Sequence, residues 1–364
     1  MKKKVIAYIV IVAIVFLFMF FRQRIYYVMQ ERDGFYIDIG HQPNDKIVDI
    51  AYDEDIFIIS RSRAKSGGVS YHAFTRLSSD VKVELEINLD RLVDEARLLE
   101  IEEMYDILVL DDVYIFYRSS DNLEEDIYVV LKLSREGEVL HSYESIGVVN
   151  KKLLLKGDEI MLLKLDHHLL SYVTIGKDLL YVKEESLYSV DVFGYHDAVV
   201  KDDYLFMLLE VDNQYGLYRY DLETKETVIG SVDPKIKQMV VGEQLYLLEY
   251  QGDYINTVYE TDFDVNVIDE ISVDPYTFYD LLIVDGEMLF YGAMTVGDQI
   301  HVVYGEYDGT VIETTSLDVP YNNYFMMMVQ MDDDVLAVMR TNYLMDYQIR
   351  KTIYTEDDIL YIID

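Results

Sequence analysis

Basic side chains and a pair of histidines are the residues of this acidic chain that point to anion binding. Three lie in the flexible segment 60–68, two are adjacent histidines, and three follow apolar runs of a repeated pattern. We expect them at one end of the molecule, as a basic mouth for an anionic ligand or an acidic peptide. The competing interpretation is scattered, solvated cations. The eight candidates are Arg61, Arg63, Lys65, Arg118, Lys164, His167, His168 and Arg340.

Signatures of catalysis are missing from the sequence. The seven histidines show neither H-x-x-x-H nor H-E-x-x-H spacing, and neighbours such as His167 and His168 point to opposite faces of a strand. There is no G-x-S-x-G motif, phosphate loop or dinucleotide fingerprint. The chain has no cysteine, which excludes disulfides, thiolate metal sites and a cysteine nucleophile. We therefore predict no catalytic residue, no metal site and no cofactor.

Acidic residues recur at the opposite end of the expected strands. Each group follows a short apolar run and precedes another, as turn residues of a hairpin do. Turn chemistry is the first interpretation, and an acidic ring is the second. The groups are Asp53–Asp55, Asp111–Asp112, Asp158–Glu159, Asp202–Asp203, Glu243, Asp285 with Glu287, and Asp332–Asp334.

These acids belong to a ten-residue pattern that occurs seven times. It has an apolar start, an Asp or Gly at the third place and a mostly apolar second half. Such a period, about 40 to 58 residues here, is typical of repeat architectures. The copies begin at Ala51, Val109, Leu155, Val200, Val240, Ile283 and Met331.

Each repeat reads as four short strands. Apolar runs of four to seven residues alternate with Asp, Gly and Asn turns, which favours antiparallel hairpins over helices. We predict an all-β, seven-bladed β-propeller over residues 45–363. Six or eight blades remain open, because residues 179–190 suggest an additional hairpin. Residues 36–39 are a candidate for the strand that closes the ring, and only residues 90–104 suit a helix.

The repeats resemble bacterial β-propellers of the quinoprotein-like and WD40-like superfamily. The segment 216–225, Gly-Leu-Tyr-Arg-Tyr-Asp-Leu-Glu-Thr-Lys, carries this likeness. The chain has no tryptophan and therefore no Trp-Asp signature. The resemblance implies a fold and assigns no functional residue, since one fold hosts many functions.

The amino terminus indicates a membrane anchor. Three lysines precede seventeen uncharged residues, 5–21, which is the lower limit for a spanning helix. No small-residue cleavage site follows, so we expect an uncleaved signal anchor over residues 1–24 and a stalk over residues 25–44. The lysines favour an inside amino terminus and an extracytoplasmic body in the cell membrane. A cytoplasmic body is the alternative.

The charge of the body restricts its partners. Beyond residue 24 there are 26 basic and 68 acidic residues, a balance that keeps a protein soluble and repels nucleic acid. We expect a scaffold that binds a protein or another ligand near the membrane. The alternatives are a hydrolase or lyase acting on carbohydrate or peptide at the basic mouth, and a structural subunit of an envelope complex. The oligomeric state is left open.

Overall fold

The computed structural model describes most of the body. The described residues are 36–37, 46–63, 70–79, 82–119, 126–187, 192–252, 254–273, 277–284, 286–296, 299–307, 312–317, 323–331, 334–342 and 356–363. The expected anchor, most of the stalk and Lys65 lie outside them. Within these ranges, no helix has the length and apolar character needed to cross a membrane.

The chain folds into antiparallel sheets, each formed mostly from consecutive strands. A short strand, β1 (Tyr36–Ile37), precedes the first sheet. The first sheet contains β2 (Lys46–Asp53), β3 (Asp55–Arg63), β4 (Ser70–Leu77) and β5 (Val83–Asn88). The next contains β6 (Glu103–Val109), β7 (Val113–Ser119), β8 (Ile127–Leu133) and β9 (Val139–Ile146). It is followed by β10 (Leu154–Lys156), β11 (Glu159–Asp166), β12 (Leu169–Ile175) and β13 (Val182–Ser186).

The second half of the chain continues this arrangement. One sheet contains β14 (Val192–Lys201), β15 (Tyr204–Val211), β16 (Gln214–Asp221) and β17 (Thr227–Ser231). The next strands are β18 (Ile236–Val241), β19 (Leu245–Gln251), β20 (Tyr254–Thr261) and β21 (Val267–Ser272). They are followed by β22 (Thr277–Val284), β23 (Glu287–Val296), β24 (Gln299–Tyr307) and β25 (Ile312–Leu317). The last strands are β26 (Asn323–Met331), β27 (Asp334–Asn342) and β28 (Glu356–Ile363).

Two pairings join elements that the repeat separates. Residues Ile255 and Phe278 pair, which links the β18–β21 and β22–β25 strands into one eight-stranded sheet. At the other junction, Tyr36–Ile37 pairs with β28, so a strand from the amino-terminal side becomes the fourth strand of the last sheet. The first strands of the sheets also meet, because β2 contacts both β6 and β26. The beginning and the end of the described body are therefore neighbours.

The ten-residue pattern forms the first hairpin of each sheet, which confirms the expectation of antiparallel strands. Several turns use a left-handed residue, which Gly adopts at little cost and Asp tolerates. Glu54, Gly157, Asp202 and Gly286 have φ of 60°, 59°, 53° and 86°. Asp285, Asp332 and Asp333 lie outside the described residues. The acidic groups that are described are thus turn residues, as the first interpretation holds.

The core lies between successive sheets, and strand alternation divides each strand between two neighbours. In β7, Ile115 and Tyr117 pack with Phe57 of β3, whereas Tyr114 and Phe116 pack against β11 on the other side. Both faces are apolar for this reason. Burial is greater in the second strand of a sheet than in the first strand, as β7 and β19 show beside β6 and β18. The first strands contain more partly exposed positions, and polar side chains occupy several of them.

Two local expectations differ from the structure. The helical segment expected over residues 90–104 is shorter, α1 (Leu89–Glu95), because Asn88 caps its start and Arg97 turns left-handed at its end (φ 58°). Residues 179–187, where an additional hairpin was considered, contribute one outer strand, β13. Leu179 lies instead in the turn before it, also with positive φ.

Candidate functional site

A register shift recurs in the first strand of most sheets. A β-bulge inserts one residue into a strand and changes the direction of the side chains around it. Six first strands have one bulged residue each, if the β18–β21 and β22–β25 halves of the eight-stranded sheet are taken separately. The residue after the bulge takes the same place in each of these strands. The shifts lie between Ile47 and Asp49, Met104 and Asp106, Tyr195 and Asp197, Ile236 and Gln238, Phe278 and Asp280, and Phe325 and Met327.

Four of the six residues after the bulges form a carboxylate belt, defined here as Asp49, Asp106, Asp197 and Asp280. The first three accept a hydrogen bond from a backbone N–H of the next sheet, so each carboxylate joins two sheets. A carboxylate acceptor makes such bonds stronger than neutral ones. The bonds run from Ile107 N to Asp49 Oδ2 (2.9 Å), from Leu153 N to Asp106 Oδ2 (2.5 Å) and from Met239 N to Asp197 Oδ2 (2.7 Å).

Asp280 is held by a side-chain network. Gln238 Nε2 donates to its Oδ1 across the junction of the two half-sheets (2.8 Å), and Tyr291 donates its hydroxyl to Oδ2 (2.9 Å). Tyr250 donates to Gln238 Oε1 (2.7 Å), which fixes the amide. Burial, and then the charge of Asp280, raises the pKa of both tyrosines, so they remain donors at neutral pH.

Burial shifts two belt carboxyls toward their neutral form. It raises the pKa of Asp197 to about 6, although the Met239 N–H and the charge of Lys152 act in the opposite direction. The pKa of Asp106 is raised well above its usual range, first by burial and then by the charge of Asp49 and a hydrogen bond with it. Asp49 and Asp106 therefore interact as a carboxyl pair. The belt carries fewer charges near pH 6 than its four carboxyls suggest.

Lys152 takes the equivalent place in the β10–β13 sheet, since Leu153 donates to Asp106 as Ile107 donates to Asp49. The Lys152 side chain is exposed to solvent, but enough protein surrounds its ammonium group to remove part of the hydration. Burial lowers its pKa, but the charges of Asp280, Asp197, Asp106 and Asp49 outweigh this effect and leave the pKa raised. The charges of all four belt aspartates thus favour the protonated form of this one ammonium group.

A second group, which we call the mouth, consists of the bulged residues His196 and Lys237, of Lys151 just before β10, and of the rings of Tyr105 and Tyr215. The three basic residues are exposed. Lys151 Nζ lies 5.4 Å from the ring centre of Tyr105, a residue of the preceding sheet. Lys237 Nζ lies 5.6 Å from the ring centre of Tyr215, again in the preceding sheet. Each lysine therefore covers an aromatic ring at the crevice between two sheets.

His196 shares one of these rings. Its imidazole meets Tyr215 edge-on, with ring centres 5.0 Å apart, and the Tyr215 hydroxyl donates to the carbonyl of Ile236 (2.5 Å). Burial and then the charge of Lys237 lower the pKa of His196, while Glu210 raises it. His196 and Lys237 are thus like charges held close together when the imidazole is protonated.

The acidic turns at the opposite end are joined to neighbouring sheets by ion pairs. Lys177 contacts Asp111 (2.7 Å) and Lys156 contacts Asp203 (3.0 Å), in each case from one sheet to the next. Arg135 pairs with Asp53 and donates to the carbonyl of Leu110 (3.0 Å). These acids act as inter-sheet contacts.

Among the eight residues expected to form a basic mouth, Arg118 and Lys164 are engaged by acids. Arg118 pairs with Glu102, Glu103 and Asp126 at 3.5, 3.3 and 3.2 Å. Lys164 pairs with Glu184 at 3.2 Å. They do not occupy equivalent places, because Arg118 shares the face of Phe116, toward the following sheet, and Lys164 shares the face of Leu162, toward the preceding one.

The other candidates are dispersed. His167 and His168 are the two left-handed residues of the β11–β12 turn, with φ of 45° and 73°, and His168 Nδ1 lies 3.2 Å from the carbonyl of Val192. Arg61 is exposed in β3. The backbones of Arg63 and Arg340 belong to β3 and β27. The structure does not bring the described candidates into one cluster, and their role in binding remains a prediction.

Sequence reasoning missed both the belt and the mouth, although a signal exists. In four copies of the repeat an aspartate precedes the ten-residue pattern by two or three residues: Asp49, Asp106, Asp197 and Asp280. The residue before each of these four aspartates is the bulged one. Within the described residues, no group of three His, Asp or Glu side chains is arranged to hold a metal ion.

Comparison with known proteins relates the chain to others only through its fold. No protein-family model and no curated protein matches it. Among solved structures, it is similar to the β-propeller domain of the Trilobed protease from Pyrococcus furiosus, with a TM-score of 0.55, 10% identity and coverage of 90% of this chain and 93% of that chain. It is also similar to a putative 6-phosphogluconolactonase from Bacteroides fragilis, with a TM-score of 0.50, 14% identity and coverage of 86% and 99%. At such identities the likeness concerns architecture alone. The chain is an all-β protein of antiparallel sheets with the fold of a β-propeller.

Proposed function

We propose that the chain is a membrane-anchored, seven-bladed β-propeller whose extracytoplasmic body is a binding module, with the mouth as its binding site. Seven blades are supported by the four-stranded units, of which β22–β25 is one, and by the contact of β2 with both β6 and β26. The anchor rests on residues 5–21 and the basic residues on either side of them.

One observation favours the mouth as the binding end. Lys151, His196 and Lys237 project from equivalent places of three consecutive blades in a body where acids greatly outnumber bases. At the other end, the charged turns are occupied by contacts between blades. A binding role is also consistent with the belt, since its carboxylates hold the blades together and provide a rigid support for the mouth.

Site-specific photo-crosslinking of the full-length chain in intact cells tests the binding end. A photoreactive residue replaces Lys237 in one variant and Glu243 in the other. Lys237 lies near the start of β18 and Glu243 just beyond its end, about 20 Å away along the strand, and both are exposed. We expect a discrete adduct from position 237, with a protein or with a small molecule and identified by its mass, and none from position 243. Equal adduct formation, or an adduct only from 243, would contradict the proposed site.

The absence of cysteine allows a direct test of orientation. A single cysteine introduced at Glu243 gives the chain its one thiol. We expect a membrane-impermeant maleimide to label this variant in intact cells, and a variant with the cysteine in place of Lys3 to be labelled only after lysis. The reverse pattern would place the body in the cytoplasm.

A further inference from the structure

Resting on the proposed function, we infer that the mouth binds a small anion with two or more carboxylate or phosphate groups. The inference names the ligand class of that site. It depends on three basic side chains that lack acidic partners, on their arrangement around aromatic rings, and on the charge of the surrounding body.

The missing ion pairs are unusual in this molecule. Within the described part of the chain, the mouth residues Lys151, His196 and Lys237 have no carboxylate within salt-bridge distance. Acidic residues outnumber lysines and arginines by 68 to 31, so a partner is easily supplied. Nearby cations do have one: Lys235, two residues before Lys237, contacts Glu249, and Lys156 contacts Asp203. The mouth therefore keeps its donors available for a ligand.

The arrangement of the donors suits an anion. His196 and Lys237 both contact the ring of Tyr215, and the charge of Lys237 acts on the imidazole. Bringing two like charges to one ring is unfavourable, and an anion that contacts both offsets this repulsion. Lys151 precedes β10 in the preceding blade, next to Lys152, and adds a second contact point. Lysine ammonium groups and imidazolium N–H groups donate readily to carboxylate and phosphate oxygens.

The body favours a small ligand over an acidic macromolecule or an anionic membrane. An extended acidic partner would approach a surface with a strongly negative net charge and be repelled beyond the immediate mouth. Glu210, which lies beside His196, adds to this repulsion at the edge of the site. A compact anion contacts the three donors without covering the surrounding acids.

Calorimetric titration of the full-length chain in uncharged detergent micelles tests the inference, with citrate and inorganic phosphate as probes. We expect saturable binding of at least one probe and weakening with salt. Lys237→Gln should weaken binding about tenfold or more, because a charge-assisted contact is lost. Lys201→Gln is the matched control, since it removes the same charge at the far end of the strand that carries His196, and it should change the affinity less than twofold.

A second measurement separates binding at the mouth from a general charge effect. Saturation with the probe should raise the pKa of the His196 imidazole, followed by the proton resonances of its ring, and His196→Gln identifies the signal. No binding of either probe at millimolar concentration, or equal weakening by Lys201→Gln and Lys237→Gln, would overturn the inference. If vesicles of phosphatidylglycerol bind and both probes do not, the ligand class is wrong. A crosslinked partner at position 237 would in each case leave the proposed function standing.

Discussion

Asn in place of Asp197 is expected to stabilise the protein at neutral pH. The pKa of this carboxyl is raised from 3.8 to about 6, so keeping it ionised in the folded state is unfavourable. A raised carboxyl pKa means that the folded state binds more protons than the unfolded one between about pH 4 and 6. Stability therefore falls as pH rises through this window. Two pKa units correspond to about 3 kcal/mol, and Asn keeps an acceptor for the Met239 N–H.

The measurement is urea unfolding of the full-length chain at several pH values, followed by far-UV circular dichroism. Relative to the wild type, we expect Asp197→Asn to gain about 1 to 3 kcal/mol at pH 8 and almost nothing at pH 4. Asp197→Ala removes the acceptor and should lose stability at both pH values. Asp212→Asn is the control for one negative charge, because Asp212 lies in an exposed turn at a φ of 52° that Asn also adopts.

Two results would refute this reasoning. A stability difference between wild type and Asp197→Asn that stays constant from pH 4 to 8 would show that the carboxyl is not shifted. An equal gain in Asp212→Asn would assign the effect to net charge.

Three further changes test the packing and the ion pairs. Gly292→Ala places a Cβ 2.0 Å from a backbone oxygen of the paired strand, so we expect the free energy of unfolding to fall by more than about 3 kcal/mol, or no folded protein. Gly157→Ala, with open space around it, is the control and should cost about 1 kcal/mol in thermal melts. Arg135→Ala removes a bridge between two hairpin turns and should cost about 2 kcal/mol in urea unfolding, with little recovery in Arg135→Lys. Hydrogen bonds, first from Lys183, lower the pKa of Glu185 to about 2. The wild type therefore loses the stability from this carboxylate as pH falls from about 4.5 toward 2. Glu185→Gln should cost up to about 1 kcal/mol at pH 7 and almost nothing at pH 2. Equal cost at both pH values would contradict the last expectation.

The sequence predicted the strands well because their information is local. The apolar runs and acidic turns specify hairpins, and residues such as Glu54 and Asp202 lie in the turns where the pattern placed them. The site depends on information that the pattern does not contain. A bulge shifts the register by one residue. In β14 this shift places His196 in the mouth and Asp197 in the belt. The β10–β13 sheet shows the same limit, because its hairpin register places Lys164 on the opposite face from Arg118.

The hydrogen bonds of the belt also have a consequence for how the sheets associate. Each of these hydrogen bonds connects one sheet to the next, head to tail. The aspartate of one sheet accepts, and a backbone N–H in the first strand, or just before it, in the next sheet donates, as Ile107 does to Asp49 and Leu153 does to Asp106. An isolated unit of this kind carries a free acceptor on one side and a free donor on the other. This contact is heterologous, and heterologous contacts close into a ring when the rotation per unit divides the circle. Lys152, Gln238 and Met327 take the equivalent places without a carboxylate, so the units that carry them lack the acidic half of this connection.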